Sequence, residues 1–244
     1  MADPYIRQRV LPGFGQRGQS ALGAARVAVV GVGGLGCPAA LYLAAAGVGQ
    51  LTLIDSDSVA ESNLHRQILF GPAHVGRSKA DAAAEALAAI APGVRVKPLA
   101  LRLTVDNAAE LLGGHDVVVD ATDTFASRLA VADAAAALGI PVAWGAVQGW
   151  FGQVTVFDGQ IGLRDIFPVE PPPDFGVCDA GGVLGTLCGQ VGAAMATETV
   201  KLLTGIGVPL KGVLSVIDAR EGRWRDLDIR RAEAAGADSI GEPA

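Results

Sequence analysis

The sequence is poor in cysteine, and the few cysteines it has are not spaced for metal binding. Cys37, Cys178 and Cys188 are the only three in 244 residues, and none belongs to a C-x-x-C pair. A four-cysteine zinc site cannot be built from them within one chain, so we expect no zinc. An odd cysteine count also argues against a disulfide framework.

Long hydrophobic runs and basic stripes are absent as well. Half of the residues are hydrophobic (50%), but no stretch reaches the roughly 20 apolar residues that a membrane span needs. The first residues lack the apolar core of a signal peptide. The net charge of −6 argues against general affinity for nucleic acids, which requires a basic face. We therefore expect a cytoplasmic protein without a membrane or nucleic-acid partner.

The hydrophobic pattern predicts an α/β fold. In the first half, short buried strands alternate with helices, which indicates a parallel sheet. In the second half, strands with alternating polarity indicate antiparallel pairing. We expect a Rossmann-like nucleotide-binding half whose parallel strands continue into antiparallel strands of one mixed sheet flanked by helices. The predicted strands are 27–30, 51–54, 94–99, 116–120, 140–147, 149–157, 212–218 and 223–229, and the predicted helices are 38–46, 79–90, 105–112, 125–138 and 183–203.

The length and the pattern together favour a single domain over residues 1–231. It comprises a solvated N-terminal arm (5–26), a nucleotide-binding half (27–147) and a second half (148–231). We expect the arm to pack through Val10, Leu11 and Phe14. The second half includes a proline-rich loop at 161–180. Residues 232–244 are rich in Ala, Gly and acidic residues without an apolar period, so we expect a disordered tail.

A glycine-rich motif follows the first predicted strand. Gly31-Val32-Gly33-Gly34-Leu35-Gly36 is a G-x-G-x-x-G loop that lies between a strand and a helix, in the context of a dinucleotide-type fingerprint. Gly31 permits a tight turn, Gly33 lets backbone N–H groups approach a phosphate, and Gly36 lets the helix lie close to the strand. The motif predicts nucleotide binding but does not distinguish NAD, FAD and adenine nucleotides.

Polar residues crowd the segment after the second predicted strand. Asp55 ends that strand, where a carboxylate can accept ribose hydroxyls. Asn63, Arg66 and Gln67 can donate to phosphate oxygens, and Arg66 can do so bidentately. A hydride-transfer enzyme does not need these donors, whereas a triphosphate site does. The alternative is a capped turn between a loop and a helix.

Two further charged residues begin helices or follow strands. Lys79 starts the predicted helix 79–90, where the helix dipole disfavours a cation, so a phosphate-binding role is the better explanation. Asp123 follows the buried strand 116–120 and is a candidate ligand for Mg²⁺, which accepts one or two carboxylates plus phosphates. Asp123 could instead be the N-cap of helix 125–138, but Thr124 could fill that position.

The three cysteines differ in their predicted roles. Cys178 lies just before the helix 183–203, where a thiol can have a lowered pKa, and it is a candidate catalytic residue. The alternative is an ordinary small residue in a loop. Cys37 and Cys188 are interpreted as packing residues.

As a set, the motifs resemble the MoeB and ThiF branch of the ubiquitin-activating-enzyme-like superfamily, whose members adenylate ubiquitin-like proteins. The matching pieces occur in family order over residues 5–231. They are Arg7-Gln8-Arg9, Gly31–Gly36, Asp55-Ser56-Asp57, Ser62–Gln67, Lys79, Thr122-Asp123, Trp144-Gly145-Ala146 and Ala180–Val183.

The resemblance implies a specific chemistry. The C-terminal glycine of a MoaD/ThiS-like sulfur carrier, which ends in Gly-Gly, attacks the α-phosphate of Mg·ATP and gives an acyl-adenylate and pyrophosphate. It also implies that residues 148–231 bind the carrier, and that Arg7 reaches the ATP of the partner subunit in a homodimer. By position, Asp55 would bind ribose and Asp123 the Mg²⁺, and the phosphates would be held by Asn63, Arg66, Gln67 and Lys79.

The resemblance leaves other features as expectations. In some relatives the residue that matches Cys178 forms a thioester or persulfide. The zinc-binding C-x-x-C pairs of many relatives are missing, and the chain ends before a rhodanese domain, so a separate sulfur donor protein is expected. Two alternatives stay open, a tRNA-modifying dehydratase of the same superfamily and an NAD-dependent oxidoreductase. Asp57 matches the second acid of the family and receives no role.

Overall fold

The computed structural model describes residues 3–168 and 182–229. In this part of the chain, eight strands form one sheet in the order β3-β2-β1-β4-β5-β6-β7-β8. The strands are β1 (Arg26–Val30), β2 (Gln50–Ile54), β3 (Arg95–Leu99), β4 (Val117–Asp120), β5 (Val142–Gln148), β6 (Phe151–Phe157), β7 (Val213–Asp218) and β8 (Arg223–Asp228). The helices are α1 (Ile6–Arg9), α2 (Gly15–Ala24), α3 (Gly36–Ala45), α4 (Lys79–Ile90), α5 (Ala108–Leu112), α6 (Phe125–Leu138), α7 (Leu163–Ile166) and α8 (Gly185–Thr204).

The sheet changes from parallel to antiparallel at β6, as the sequence predicts. The strands β1 to β5 pair in parallel, and β6, β7 and β8 pair antiparallel to their neighbours. Val27 in β1 lies between Leu51 of β2 and Val117 of β4, so the chain order reverses on the two sides of β1. Open α/β sheets bind ligands at the carboxyl ends of the strands beside such a reversal. The predicted fold class is confirmed.

Two hydrophobic cores lie on opposite faces of the sheet. One contains side chains of α2, α3, α4 and α8, with Val27 and Val29 of β1 among them. The other contains side chains of α5, α6 and α7 against Ala28 and Val30. Successive β1 residues therefore point into different cores, which is why the strand is apolar throughout rather than alternating.

Helix α8 packs closely on α3, the helix that follows the glycine motif. A Cβ built on Gly192 of α8 would lie 2.4 Å from the carbonyl oxygen of Leu35. Only glycine permits this approach, because Cβ atoms are not found this close to a backbone oxygen. The contact fixes α8 against the start of α3.

The N-terminal segment differs from the solvated arm predicted from sequence. Residues 5–26 contain α1 and α2, and the arm includes buried Gln19 and Leu22. Phe14 is buried as expected, whereas Val10 and Leu11 are 64% and 55% exposed and do not anchor the arm. The expected packing through Val10 and Leu11 is therefore wrong within this chain.

The loop predicted at 161–180 begins with the helical turn α7, so its first part is not irregular. The rest of that loop from residue 169, and the predicted tail 232–244, lie outside the described residues. None of the helices in the described ranges is long and apolar enough to cross a membrane.

Candidate nucleotide and phosphate site

A cavity of about 300 Å³ opens at the carboxyl ends of β1, β2 and β4. Val30, Ile54 and Ala121, at or just beyond the ends of these strands, contribute to its wall. The fold thus brings together residues that are more than 90 positions apart in sequence. The predicted site residues that line it are Gly31, Gly33, Gly34, Asp55, Asn63, Arg66, Gln67, Lys79 and Asp123.

The glycine motif forms a tight turn whose shape requires glycine at its ends. Gly31 has φ of 85°, and a Cβ there would lie 2.8 Å from the carbonyl oxygen of Ala121. A Cβ on Gly36 would lie 1.9 Å from the carbonyl oxygen of Gly31, so α3 starts against the turn. Gly36 thus supports the loop rather than lining the cavity. These geometries agree with the roles that the sequence assigns to Gly31 and Gly36.

The two middle glycines face different surroundings. A Cβ on Gly33 would meet nothing closer than Nε2 of Gln67, at 3.7 Å, so Gly33 leaves open space on the cavity side. A Cβ on Gly34 would lie 3.0 Å from Sγ of Cys188. Gly34 therefore packs against α8 at the wall of the cavity.

Asp55 fixes the loop to the end of β2. Its Oδ2 accepts a hydrogen bond from the backbone N–H of Val32 at 2.7 Å, and its Oδ1 accepts one from Asp57 at 2.8 Å. Burial raises the pKa of Asp55, and these two hydrogen bonds oppose the rise. An ionised carboxylate has about four acceptor positions, so Asp55 keeps capacity for a ligand hydroxyl.

Lys79 is a buried cation at the first residue of α4. Its Nζ donates to Oδ2 of Asp57 at 2.9 Å, and only 8% of its side chain is exposed. Ser78, rather than a charged residue, caps the helix by accepting from the backbone N–H of Asp81. The structure therefore gives Asp57 a contact that the sequence did not predict.

Three predicted phosphate donors lie around a 3₁₀ turn, Glu61–Asn63. The carbonyl oxygen of Asn63 accepts from the backbone N–H groups of Arg66 and Gln67, which continues the turn. Nη1 of Arg66 donates to the carbonyl oxygen of Ser62 at 3.3 Å. Gln67 is 3% exposed, and its buried Oε1 has no hydrogen-bond partner among the described residues. A buried amide oxygen without a partner is uncommon, and as an acceptor it could bind an N–H or O–H group of a ligand but not a phosphate oxygen.

Asp123 is exposed at the cavity, and the residue after it caps the next helix. Oγ1 of Thr124 accepts from the backbone N–H of Ser127 at 3.2 Å, so Thr124 is the N-cap of α6. Within the described part of the chain, no hydrogen bond or ion pair engages the carboxylate of Asp123. The alternative role of Asp123 as a cap is therefore wrong, and its oxygens remain available to a cation.

Sequence reasoning missed Asp120, which ends β4 behind the cavity. It is 1% exposed, and burial raises its pKa to about 6 although Thr122 donates to it through both its N–H and its hydroxyl. These bonds hold the turn that presents Asp123. In sequence Asp120 is read as the last residue of an apolar strand, and nothing local indicates that its carboxylate is buried.

Arg128 on α6 was also missed, although it lines the cavity. Its Nε donates to the carbonyl oxygen of Thr122 at 3.2 Å, and its guanidinium lies 5.7 Å and 5.8 Å from the ring centroids of Phe125 and Trp144. The buried guanidinium opposes the rise in the pKa of Asp120. Its position one helical turn after Thr124 is the signal that could have identified it.

Comparison with known proteins identifies the family. A model described as the ThiF family matches residues 5–237. The chain belongs to the ThiF family. This membership confirms the family resemblance found in the sequence.

The ThiF-family chain is similar to several named adenylyltransferases. It is 47% identical over 234 residues to the probable adenylyltransferase/sulfurtransferase MoeZ of Mycobacterium tuberculosis, covering 93% of this chain but 60% of MoeZ. It is 46% identical over 237 residues to the sulfur carrier protein adenylyltransferase of Thermus thermophilus, covering 94% of this chain and 88% of that protein. The chain thus spans about three fifths of MoeZ and most of the Thermus protein.

Solved structures of the same architecture are more distant in sequence. The crystal structure of Escherichia coli MccB matches with a TM-score of 0.82 at 18% identity, over 99% of this chain and 74% of that one. At this identity the likeness concerns the fold alone. It agrees with the Rossmann-like mixed sheet described above.

Some predicted site residues of this ThiF-family chain do not meet at the cavity. Arg7 is exposed on α1 and is not among the residues that line it. Cys178 lies outside the described residues. Cys37 is buried, and burial raises the pKa of its thiol to about 12, which fits the predicted packing role. Cys188 is buried as predicted, and it also lines the cavity behind Gly34.

The described residues contain no cluster of three or more His, Cys, Asp or Glu side chains arranged for a metal ion. A Mg²⁺ ion bound with a nucleotide does not need such a cluster, because phosphates and water supply most of its ligands. The exposed carboxylate of Asp123 fits that kind of site.

Proposed function

We propose that the chain uses ATP to adenylate the C-terminal glycine of a small ubiquitin-like sulfur-carrier protein of the MoaD/ThiS type. The observation that carries this proposal is the composition of one cavity. A glycine turn, the carboxylate of Asp55, the buried cation Lys79 and the open carboxylate of Asp123 all face it. The names of the relatives support the same activity, since both MoeZ and the Thermus protein are called adenylyltransferases.

In the proposed reaction, a carboxylate oxygen of the terminal glycine attacks the α-phosphorus of ATP. The bond between that phosphorus and the oxygen that bridges to the β-phosphate breaks, and pyrophosphate leaves. Such transfers depend mostly on positioning and on neutralising charge. Arg66 and Lys79 supply positive charge at the cavity, and Gly33 leaves room for phosphate against the backbone.

Asp123 would hold Mg²⁺, and the ion would neutralise phosphate charge when bound. Asp55 would accept the ribose hydroxyls, since it ends a strand at the cavity and retains acceptor capacity. Asn63 and Gln67 would donate to the nucleotide from the 3₁₀ turn. A covalent role for Cys178 remains a prediction from the resemblance.

The position of Arg7 supports the proposed homodimer. Nε2 of Gln8 donates to the carbonyl oxygen of Ala46 at 3.1 Å, which ties α1 to the C-terminal end of α3. The cavity is at the other end of α3, roughly 15 Å away for ten helical residues. Arg7 on α1 therefore lies at the end of α3 opposite its own cavity, and in the proposal it completes the site of a partner subunit.

We infer a docking surface for the carrier from an exposed aromatic pair. Trp150 and Phe151 are each 47% exposed, Trp150 in the turn between β5 and β6 and Phe151 as the first residue of β6. The carboxyl end of the parallel strand β5 places this turn at the same end of the sheet as the cavity. Arg220 stacks on Phe151, with its guanidinium 5.6 Å from the ring centroid. We propose that the carrier docks here, so that its C-terminal tail reaches the cavity along the carboxyl ends of the strands.

The test is pyrophosphate–ATP exchange with purified protein, Mg²⁺ and each small protein from the source organism that ends in Gly-Gly. Exchange that depends on one carrier would establish adenylation and name the substrate. ATP binding without exchange for any carrier would contradict the proposal and point to the tRNA-modifying alternative. Thermal stabilisation by NAD rather than by Mg·ATP would favour an oxidoreductase.

The docking surface has its own control. Trp150→Ala should raise the carrier concentration needed for half-maximal exchange about fivefold or more, since a truncated interface aromatic often costs above 1 kcal/mol. Ile90→Ala removes a similarly exposed apolar side chain (53% exposed) at the distant end of α4 and should change nothing. Equal effects of the two variants would remove Trp150 from the carrier surface.

A further inference from the structure

The ion pair between Lys79 and Asp57 is unequal in burial. The side chain of Lys79 is 8% exposed, whereas that of Asp57 is 56% exposed. The backbone N–H of Lys79 also donates to the carbonyl oxygen of Asp57, at 2.9 Å. This backbone hydrogen bond holds residues 57 and 79 together independently of the side chains. The carboxylate of Asp57 is therefore not needed for that contact, and its interaction is with the ammonium group of Lys79.

The ammonium group of Lys79 needs an anion where it lies. It is buried at the first residue of α4, where the helix dipole is unfavourable for a cation, and burying an unpaired charge is costly. Asp57 is the one ion-pair partner that Lys79 has among the described residues. Both side chains line the cavity, so a polyanion that entered it would meet the same ammonium group.

We propose that Asp57 is the resident counter-ion of Lys79 in the ligand-free site, and that it competes with the β- and γ-phosphates for that lysine. This inference rests on the proposed function, in which pyrophosphate is the leaving group. Asp57 then has two effects. It keeps Lys79 paired when the site is empty, and it weakens the hold on pyrophosphate so that this product is released.

The proposal predicts a direction that a purely structural pair would not give. If Asp57 merely oriented Lys79, its removal would weaken the binding of phosphates. If Asp57 competes, its removal takes one negative charge from the site and leaves Lys79 in greater need of an anion. Pyrophosphate should then bind about three- to tenfold more tightly, the range for one solvent-screened charge a few ångströms away.

The experiment measures binding of pyrophosphate with Mg²⁺, and of AMP, by calorimetry to the wild type and to Asp57→Asn. Asp57→Ser is a second variant that removes the same charge. Glu61→Gln removes a charge from the exposed turn beyond the cavity lining and is the matched control. Asp57→Glu restores the charge and should return the affinity towards that of the wild type.

We expect tighter pyrophosphate binding in both charge-removing variants, unchanged AMP binding, and a lower melting temperature of the ligand-free protein. Unchanged or weaker pyrophosphate binding in Asp57→Asn and Asp57→Ser would overturn the inference while leaving the proposed function intact. A wild type that binds neither ATP nor pyrophosphate would instead overturn both.

Discussion

Gly34 is close enough to Cys188 that one added methyl group would strain the nucleotide loop. A Cβ at position 34 would lie 3.0 Å from Sγ and 3.3 Å from Cβ of Cys188. Favourable contacts between carbon atoms lie at about 3.5–4.0 Å, so the loop or α8 must move by several tenths of an ångström. We expect Gly34→Ala to lower the free energy of unfolding by about 1–3 kcal/mol, the usual cost of overpacking, and to weaken ATP binding.

The double variant tests the cause. Cys188→Ala removes the sulfur atom. In that variant, the loss in free energy of unfolding caused by Gly34→Ala should therefore be at least about 1 kcal/mol smaller than in the wild type. Urea denaturation of the four proteins measures this coupling, and the entropic effect of replacing glycine in the unfolded chain cancels in the cycle. Gly33→Ala is the control. Its added Cβ would lie 3.7 Å from its nearest neighbour, Nε2 of Gln67, so the free energy of unfolding should not change. Strictly additive effects of Gly34→Ala and Cys188→Ala would refute the steric explanation.

Three further predictions concern charged residues. The pKa of Asp120 is raised from 3.8 to about 6, so the stability linked to its neutral form is present below about pH 4 and lost as the pH rises through 6. Urea denaturation should therefore show that the free energy of unfolding of Asp120→Asn, relative to that of the wild type, rises by up to about 3 kcal/mol between pH 4 and pH 7. A difference that stays constant with pH would contradict this. Asp123→Ala should abolish carrier-dependent exchange with an unchanged melting temperature, and near-normal exchange would remove Asp123 from the metal site. Mixed Arg7→Ala and Asp123→Ala chains should regain about a quarter of the wild-type activity, because half of randomly formed dimers keep one intact site, and no recovery would contradict the cross-subunit position of Arg7.

The parts of the site that the sequence predicts are those with local causes. Gly31 and Gly36 are in close contact within a single turn, and Thr124 caps the helix that starts beside it. Their spacing in the sequence is therefore enough to predict the turn and the cap. The contact between Asp57 and Lys79 joins a loop to a helix 22 residues later, and it depends on how the chain folds back. The positions of Asp57 after a strand and of Lys79 at the start of a helix can be read from the sequence, but the sequence does not show that the two side chains are in contact.

Burial explains the other differences between the sequence and the structure. Helix α2 contains few apolar residues, and its buried positions are Gly18, Gln19 and Leu22, with Gly18 against the ring of Phe14. Two of these three residues are not hydrophobic, so a search for hydrophobic residues does not detect the buried face of this helix. The burial of Asp120 also has no local signal, because Asp120 pairs with Val30 of β1 and Trp144 of β5, which come from the two ends of the nucleotide-binding half.

Helix α8 links the two halves of the molecule at the cavity. Cys188 lies against Gly34 of the glycine turn, and a Cβ on Gly185 would lie 2.5 Å from the carbonyl oxygen of His65, beside Arg66. The segment just before α8 pairs with the turn after β5, through the bridge between Val183 and Gly149. The aromatic pair Trp150 and Phe151 follows directly. These contacts form a packed route from that turn through α8 to both the glycine turn and the phosphate-side turn, and closely packed interiors transmit strain. If the carrier docks on the aromatic pair, we expect its binding and that of the nucleotide to be coupled, and each should then change the affinity of the site for the other by the same factor.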